Sequence, residues 1–167
     1  VATKNLINAM KNNNISNLIF SSTAALYRYK NKMISENSKI NPKSMYAKTK
    51  YQCEKMIKDK KINSIILRFF NVCSSFRIKN NIVGEFHNPE THLVPTIVYK
   101  NLLKKKIFIY GDNYKTKDGT CVRDYVHVND IVKAHYYGLK KFKKKKCSVI
   151  YNIGSGKGFS VLDVIRS

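Results

Sequence analysis

Apolar residues recur at three- and four-residue intervals in five stretches of the chain, and this spacing predicts amphipathic helices. The predicted helices run over residues 3–12, 44–60, 93–103, 129–142 and 160–165, the last with Ser160 as its N-cap. Short apolar runs predict strands over residues 17–20, 64–71, 107–110 and 148–153, and one further strand that leads into the helix at 129. Because helices and strands alternate, the pattern predicts βαβ units and a parallel sheet, that is, an α/β fold.

The regular alternation weakens after residue 71. Residues 72–91 are polar and rich in turn-forming residues, and this composition predicts a long loop. The apolar run 107–110 stops at Gly111-Asp112, a turn signal, and a polar loop centred on Asp118-Gly119-Thr120 then leads to Arg123. This change predicts a second, smaller lobe built on the edge of the sheet where α/β folds bind ligands, with a pocket around the arginine.

The charge balance is strongly basic but does not favour nucleic-acid binding. The chain of 167 residues has a formal net charge of +22, and its cations are 27 lysines and only 5 arginines. Arginine makes bidentate contacts to phosphates and bases, whereas lysine is a strongly hydrated point charge. We therefore expect a solvated, lysine-rich surface and no specific nucleic-acid partner.

Length and cysteine usage narrow the class of protein further. A chain of this length can bury a substantial core, and no apolar run approaches the ~18 residues of a membrane span. Four cysteines without CxxC spacing indicate a reducing compartment, so a cytoplasmic protein is expected. Because the chain begins at Val1 instead of Met and ends at Ser167 within a helical pattern, we expect a fragment of a longer protein.

Candidate chemistry lies on the helix that follows Pro42. Tyr46 and Lys50 are four residues apart and share a helix face. A lysine ammonium beside a tyrosine favours the phenolate, so the tyrosine can act as a general base. Three other tyrosine–lysine pairs have this spacing, but only this one opens a helix after a proline-containing loop and follows a strand ending in Ser21-Ser22-Thr23. Two interpretations of these three hydroxyls are equally plausible from the sequence. They could relay a proton, or they could form a turn in which they hydrogen-bond to neighbouring backbone groups.

Six segments of the sequence carry a resemblance to a known family. They are NLIFSST, PKSMYAKTK, LRFFN, GEFHNPETHLVP, IFIYGDNYKTKDGTCVRDYVHVNDIVKAH and YNIGSGKGFSVLDVI. In this order, and over essentially the whole chain, they resemble the UDP-glucose 4-epimerases of the extended short-chain dehydrogenase/reductase superfamily. The fifth segment is the most specific, because nucleotide-sugar dehydratases have a shorter loop before the arginine and lack the DGT sequence.

The resemblance implies a Rossmann-like doubly wound parallel sheet that binds NAD, and C4 epimerisation of a UDP-hexose, UDP-galactose or UDP-glucose, through a 4-keto intermediate. Residues 1–71 would form the C-terminal half of the NAD-binding domain, and residues 72–167 mainly the UDP-sugar-binding lobe, with segments returning to the sheet. The Gly-rich phosphate loop that opens such a domain is not in the sequence, in agreement with the expectation of a fragment. A homodimer is also implied, and no metal site is expected.

The resemblance further assigns the site residues. The implied catalytic residues are Tyr46, Lys50 and Thr23. The implied cofactor-binding residues are Ser21, Ser22, Tyr46, Lys50, Phe69 and Phe70. The implied substrate-binding residues, which include an arginine for the diphosphate and three residues around uracil, are Thr23, Asn71, His92, Leu93, Phe108, Ile109, Tyr110 and Arg123.

The chain departs from the family pattern at three positions. Arg28 replaces the usual glycine after Tyr27, Phe69 replaces a tyrosine near the cofactor, and Phe86 replaces an acidic residue. None of these changes removes an implied catalytic residue. We therefore expect them to affect the efficiency of catalysis more than the type of reaction. Two alternatives stay open at this point: an epimerase or dehydratase for a related UDP-sugar, and an inactive fragment or basic binding module.

Overall fold

The computed structural model describes residues 2–28, 32–60, 62–85, 87–144 and 147–167. Phe86 and the last two lysines of the run 140–146 lie outside the described residues. The helices are α1 (Ala2–Asn12), α2 (Met45–Asp59), α3 (Leu93–Leu102), α4 (Val128–Lys144) and α5 (Val161–Arg166). The strands are β1 (Asn17–Thr23), β2 (Asn63–Phe69), β3 (Asn71–Cys73), β4 (Phe76–Ile78), β5 (Asn81–Val83), β6 (Val122–His127), β7 (Ser148–Ile153) and β8 (Gly158–Ser160).

The chain divides into two compact units. The first unit consists of Val1–Phe70 and Asp130–Ile153, and the second consists of Asn71–Asn129 and Gly154–Ser167. All five predicted helices and four of the five predicted strands are present, so the α/β prediction is confirmed.

The first unit is built on a three-stranded parallel sheet in the order β1-β2-β7. Thr23 of β1 pairs with Phe69 of β2, and Phe69 pairs in turn with Ile153 of β7. The carboxyl ends of all three strands therefore meet at one edge, as the predicted parallel sheet requires.

The core of this unit lies where α1 and α2 cover the sheet. Ile7, Met10, Ile57 and Ile62 are buried and form one cluster. The central strand β2 is buried from Ser64 to Arg68, because it has a strand on either side. The amphipathic spacing of α1 places its two buried residues three positions apart, on the face turned to the core.

β1 differs from the prediction of a short buried strand. It continues to Thr23, and its apolar residues Leu18 to Phe20 are only half-buried, whereas Ser22 and Thr23 are buried. Among the described residues β1 is an edge strand of the sheet, which accounts for the partial exposure of its apolar part. The buried hydroxyls face polar partners instead of apolar ones.

The second unit contains two small sheets and the helices α3 and α5. β6 pairs in parallel with β3 and antiparallel with β8. β4 and β5 form a hairpin that turns at Lys79-Asn80, where Lys79 has a positive φ of 52°. The prediction of a long loop over 72–91 was therefore wrong in its first half, where a two-residue turn joins two short antiparallel strands.

Two further sequence predictions in this region need correction. Residues 107–110 do not form a strand, and their side chains Phe108 and Tyr110 are 62% and 88% exposed. An apolar run becomes a strand only where a neighbouring strand can accept its backbone hydrogen bonds. In addition, β2 ends at Phe69, and Asn71 begins a new strand in the other unit.

The described part of the chain holds no helix that combines the length and the apolar character needed to cross a bilayer. All four cysteines are free thiols.

Candidate active site

One face of α2 carries the candidate general base and two further ionisable residues. Tyr46, Lys50 and Glu54 follow one another at four-residue intervals and therefore share this face. The helix begins where the side chain of Ser44 accepts a hydrogen bond from the Ala47 backbone N–H at 3.1 Å. Tyr46 thus lies in the first turn, and its side chain is 58% exposed.

Lys50 joins this helix to the carboxyl end of β1. Its ammonium donates to the carbonyl oxygen of Ser21 at 2.9 Å. The same nitrogen lies 5.2 Å from the ring centroid of Phe20 and 5.9 Å from that of Tyr46. The Lys50 ammonium therefore lies near both the end of β1 and the ring of the candidate base.

The three hydroxyls at the end of β1 have different partners. Ser21 Oγ lies 3.2 Å from His135 Nε2, and Ser22 Oγ donates to Glu54 Oε1 at 2.6 Å. Thr23 Oγ1 accepts from the Ala25 N–H at 3.1 Å and caps the short 3₁₀ helix Ala24–Leu26. Each hydroxyl thus has a structural contact, and the Thr23 hydroxyl keeps its own proton available as a donor.

A buried ion pair lies beneath this strand end. The Arg68 guanidinium makes two bonds to the Glu54 carboxylate, at 2.9 and 2.6 Å, and both side chains are 1% exposed. Arg68 also donates to the Tyr27 hydroxyl at 2.7 Å, and Tyr27 donates to Asn152 Oδ1 at 2.7 Å. Burial opposes the charge on Arg68, but the bonds to Glu54 and Tyr27 outweigh it and raise the pKa of this guanidinium.

The ion pair and its hydrogen bonds connect four of the elements around the strand end. Glu54 belongs to α2, Arg68 to β2, Asn152 to β7, and Ser22 to β1. A fully hydrogen-bonded buried pair specifies one arrangement of these elements, because any displacement would leave a buried charge without a partner. This pair is absent from the sequence-based predictions, although Glu54 follows Lys50 at helical spacing and Arg68 interrupts an apolar strand.

The implied cofactor residues Phe69 and Phe70 lie at the same edge of the sheet. The Phe69 ring is 5.8 Å from the His135 ring, and both phenylalanines are half-buried. The Phe70 N–H donates to the Ile153 carbonyl at 3.0 Å and prolongs the pairing beyond β2. The implied cofactor-binding residues of the first unit therefore lie on β1, on α2 and at the end of β2.

In the second unit, the DGT sequence fixes the loop that precedes Arg123. Asp118 accepts from the N–H and the hydroxyl of Thr120, at 2.9 and 2.8 Å, and from the hydroxyl of Ser160. These bonds, led by that from Ser160, hold the pKa of the Asp118 carboxyl below its usual range. Gly119 has a φ of +77°, which glycine adopts without steric cost.

Arg123 lies on β6 and is exposed. Its NH1 nitrogen donates to the Val122 carbonyl at 3.0 Å. The next residue, Asp124, accepts from the N–H groups of Ser155 and Gly156 at 2.7 and 2.9 Å and so ties β6 to the turn that precedes β8. Arg123 therefore lies on the central strand of this small sheet, with β3 on one side and β8 on the other.

The remaining implied substrate residues of the second unit lie in separate segments. Asn71 is the first residue of β3 and is exposed. His92 is the N-cap of α3 without a side-chain capping bond, and Leu93 is the first helical residue. The segment 108–110 is irregular, and Lys100 lies 5.3 Å from the ring centroid of Phe108.

Glu85, His87 and His92 form a second cluster, which is not among the sequence-based predictions. One potential ligand atom of each residue lies within 4.8 Å of the other two. The spacing Glu-x-His-x₄-His is a signal that could have indicated it.

Comparison with known proteins places these features in a family. The model of the NAD dependent epimerase/dehydratase family matches residues 1–154. A UDP-glucose 4-epimerase of Lactobacillus helveticus is 40% identical over 168 residues, which cover 97% of this chain and 50% of that protein.

Solved structures show the same likeness. The UDP-glucose 4-epimerase of Brucella ovis, in complex with NAD, is 34% identical with a TM-score of 0.88, over 98% of this chain and 52% of that one. The enzyme of Bifidobacterium longum, in complex with NAD+ and UDP, is 31% identical with a TM-score of 0.85, over 98% and 51% of the two chains. The chain thus spans about half the length of the curated relatives that it matches. With a parallel sheet, a tyrosine–lysine helix beside its carboxyl edge and a family model that covers most of its length, the chain belongs to the NAD-dependent epimerase/dehydratase family.

Proposed function

We propose that this chain is part of an enzyme that interconverts UDP-galactose and UDP-glucose by inversion at C4, with tightly bound NAD. The observation that carries the proposal is the position of Lys50, which binds the Ser21 carbonyl two residues before Thr23 and lies beside the Tyr46 ring. Since the chain spans about half of its relatives, the activity is proposed for the complete protein.

The residues around the end of β1 fit a nicotinamide dinucleotide. The Lys50 ammonium has three donors and directs one at Ser21, which leaves donors for the hydroxyls of a ribose. The carboxyl edge of a parallel sheet is where open α/β folds bind such ligands. When bound, NAD supplies a hydride acceptor and, in the reverse step, a hydride donor.

C4 of a hexose carries no acidic hydrogen, so inversion cannot proceed by simple proton abstraction. Oxidation at C4 instead needs a hydride acceptor, together with a base that takes the proton of the 4-hydroxyl. Tyr46, with the Lys50 ammonium beside its ring, would take the proton of the 4-hydroxyl, and bound NAD would accept the C4 hydrogen as hydride. The hydroxyl of Thr23 donates a hydrogen bond to the sugar oxygen and orients it. The resulting 4-keto sugar would turn over in the site. The reduced cofactor would return the hydride to its opposite face, and Tyr46 would return the proton to the 4-oxygen.

The second unit would anchor the nucleotide. Arg123 uses one of its five donors on Val122, and the others can make charge-assisted bonds to a diphosphate. Phe108 and Tyr110 expose most of their rings, which suits stacking on uracil. His92 and Leu93 begin α3, where helix N–H groups favour a negatively charged group, and the amide of Asn71 is suited to sugar hydroxyls.

The proposal includes two expectations about the complete protein. It forms a homodimer through α1 and α2, and it is cytoplasmic. Light scattering of the purified protein tests the first, because a mass of one chain at micromolar concentration would contradict it. Cell fractionation tests the second.

An assay of the purified complete protein tests the proposed reaction. We expect UDP-galactose to be converted to UDP-glucose, detected with an added UDP-glucose dehydrogenase that reduces NAD. Conversion of UDP-N-acetylgalactosamine or a uronic UDP-sugar, without conversion of UDP-galactose, would support the alternative of a related UDP-sugar. No conversion of any of these would contradict an epimerase and favour an inactive protein or a binding module.

A further inference from the structure

The segment from Glu85 to His92 concentrates donor groups that are scarce elsewhere in the sequence. Its eight positions hold two of the four histidines and two of the ten acidic residues of a chain with 32 lysines and arginines. The two carboxylates make this segment an acidic region of a basic protein.

Three side chains of the segment converge. Glu85 Oε1 lies 2.9 Å from His87 Nε2 and 2.9 Å from His92 Nδ1. The two imidazole rings are 5.3 Å apart at an angle of 50°, so their nitrogens approach the carboxylate from different directions. Four ligands around a tetrahedral ion are roughly 3.3 Å apart, so small side-chain rotations would open the space for an ion.

The second carboxylate of the segment, Glu90, holds the backbone that presents the two histidines. Its carboxylate accepts from the N–H groups of His87, Thr91 and His92, at 3.2, 2.9 and 2.8 Å, and is only 13% exposed. The histidines are thus brought together by the fold of the loop itself, before any ion binds.

We propose that Glu85, His87 and His92 form a binding site for a divalent transition-metal ion of the Zn²⁺ type. Two imidazoles and one carboxylate are the donors of three-ligand zinc sites, which keep a further position for water or another ligand. Imidazole nitrogens favour Zn²⁺, Ni²⁺ and Cu²⁺, whereas Mg²⁺ and Ca²⁺ prefer oxygen ligands. The site accepts ions directly from solvent, because both histidine side chains are 57% exposed.

The site goes beyond the proposed epimerase reaction, which needs no metal. It shares one residue with that proposal, since His92 is also a candidate contact of the nucleotide. Metal binding is measured without turnover, so the two proposals succeed or fail separately.

The test is a Zn²⁺ titration of the metal-free complete protein in competition with a chromogenic chelator. We expect one ion per chain, with a dissociation constant at least tenfold lower than that for Mg²⁺. The His87→Ala/His92→Ala double variant should weaken Zn²⁺ binding at least tenfold. His127→Asn is the matched control, because it removes another exposed histidine of the same unit and keeps an acceptor for the Asn129 N–H.

Unchanged Zn²⁺ affinity in the double variant, no Zn²⁺ binding by the original protein, or equal affinities for Mg²⁺ and Zn²⁺ would each overturn the proposal. Circular dichroism shows whether the double variant is folded. If it is not, Glu85→Gln removes one ligand while it preserves the size of the side chain. Loss of tenfold or more in that variant supports the site, and no loss overturns it.

Discussion

Lys50 and Glu54 lie one turn apart on α2 and contact neighbouring residues of the same strand. Lys50 donates to the Ser21 carbonyl at 2.9 Å, and Glu54 accepts from the Ser22 hydroxyl at 2.6 Å. Because these two contacts are made at adjacent positions of β1, they fix both the position of α2 along the strand and the rotation of α2 about its own axis. They thereby determine where Tyr46, one turn earlier, stands relative to the end of the strand.

The first prediction concerns the buried partner of Glu54. Glu54→Gln leaves the Arg68 guanidinium buried without a counter-charge, so we expect a loss of about 3–5 kcal/mol in the free energy of unfolding. Urea denaturation of the complete protein, followed by circular dichroism, measures it. Asp130→Asn is the control, because it breaks an exposed 3.3 Å pair with Lys133 and should cost less than about 1 kcal/mol. Similar losses in the two variants would show that the buried pair does not organise the strand end.

The second prediction separates backbone strain from steric overlap at two glycines. Gly119 and Gly156 have φ angles of +77° and +75°, so alanine is strained at either position by roughly 1 kcal/mol. A Cβ at Gly119 would in addition overlap the Asp112 carbonyl oxygen, whereas one at Gly156 meets no atom within 4 Å. Gly119→Ala should therefore lower the midpoint of thermal unfolding clearly more than Gly156→Ala. Equal shifts would mean that the DGT loop is not closed as described.

The period of the apolar pattern was sufficient to predict the helices and the parallel sheet. α1, α2 and α4 each have an apolar stripe that specifies the helix whatever it packs against. The run at 107–110 was misread because a strand depends on a pairing partner, which local sequence does not reveal. The hairpin of β4 and β5 was missed for the related reason that its turn residues, Lys79-Asn80, are not the Gly-containing pairs that mark most such turns.

The site could be predicted only in part. Tyr46, Lys50 and the hydroxyls of β1 were found because their chemistry depends on a short sequence spacing. Glu54 and Arg68 are 14 positions apart and are brought together only by the packing of α2 on β2. A charged residue inside an apolar strand such as β2 nevertheless requires a partner, and that requirement is a signal the sequence does contain.

The third prediction concerns acid. Because hydrogen bonds lower the pKa of Asp118 in the folded state, its stabilising effect is complete above the unfolded pKa of about 4 and is lost as the pH falls further. Asp118→Asn should therefore reduce the steepness with which stability falls as the pH decreases below about 4. Denaturation curves at a series of pH values measure this slope. An unchanged slope would contradict the role of the Thr120 and Ser160 bonds.

The fourth prediction concerns the nucleotide. If Arg123 binds the diphosphate, Arg123→Ala should weaken UDP binding about ten- to hundredfold, as expected for the loss of charge-assisted bonds. Calorimetric titration with UDP gives the affinity directly. Arg77→Ala, on the exposed hairpin strand β4, is the matched control and should leave it unchanged. The same affinity in both variants would remove Arg123 from the proposed site.

The most direct test of the central claim is the rate of UDP-galactose conversion by Tyr46→Phe in the complete protein. The variant keeps the ring beside Lys50 and removes only the hydroxyl of the proposed base. We therefore expect the rate to fall by about 10²–10⁴-fold, and the midpoint of thermal unfolding to stay the same. Tyr51→Phe is the matched control, since Tyr51 is on the same helix and its ring contacts Lys55. Full activity in Tyr51→Phe with its loss in Tyr46→Phe is the predicted result; near-normal activity in Tyr46→Phe would contradict the proposed mechanism.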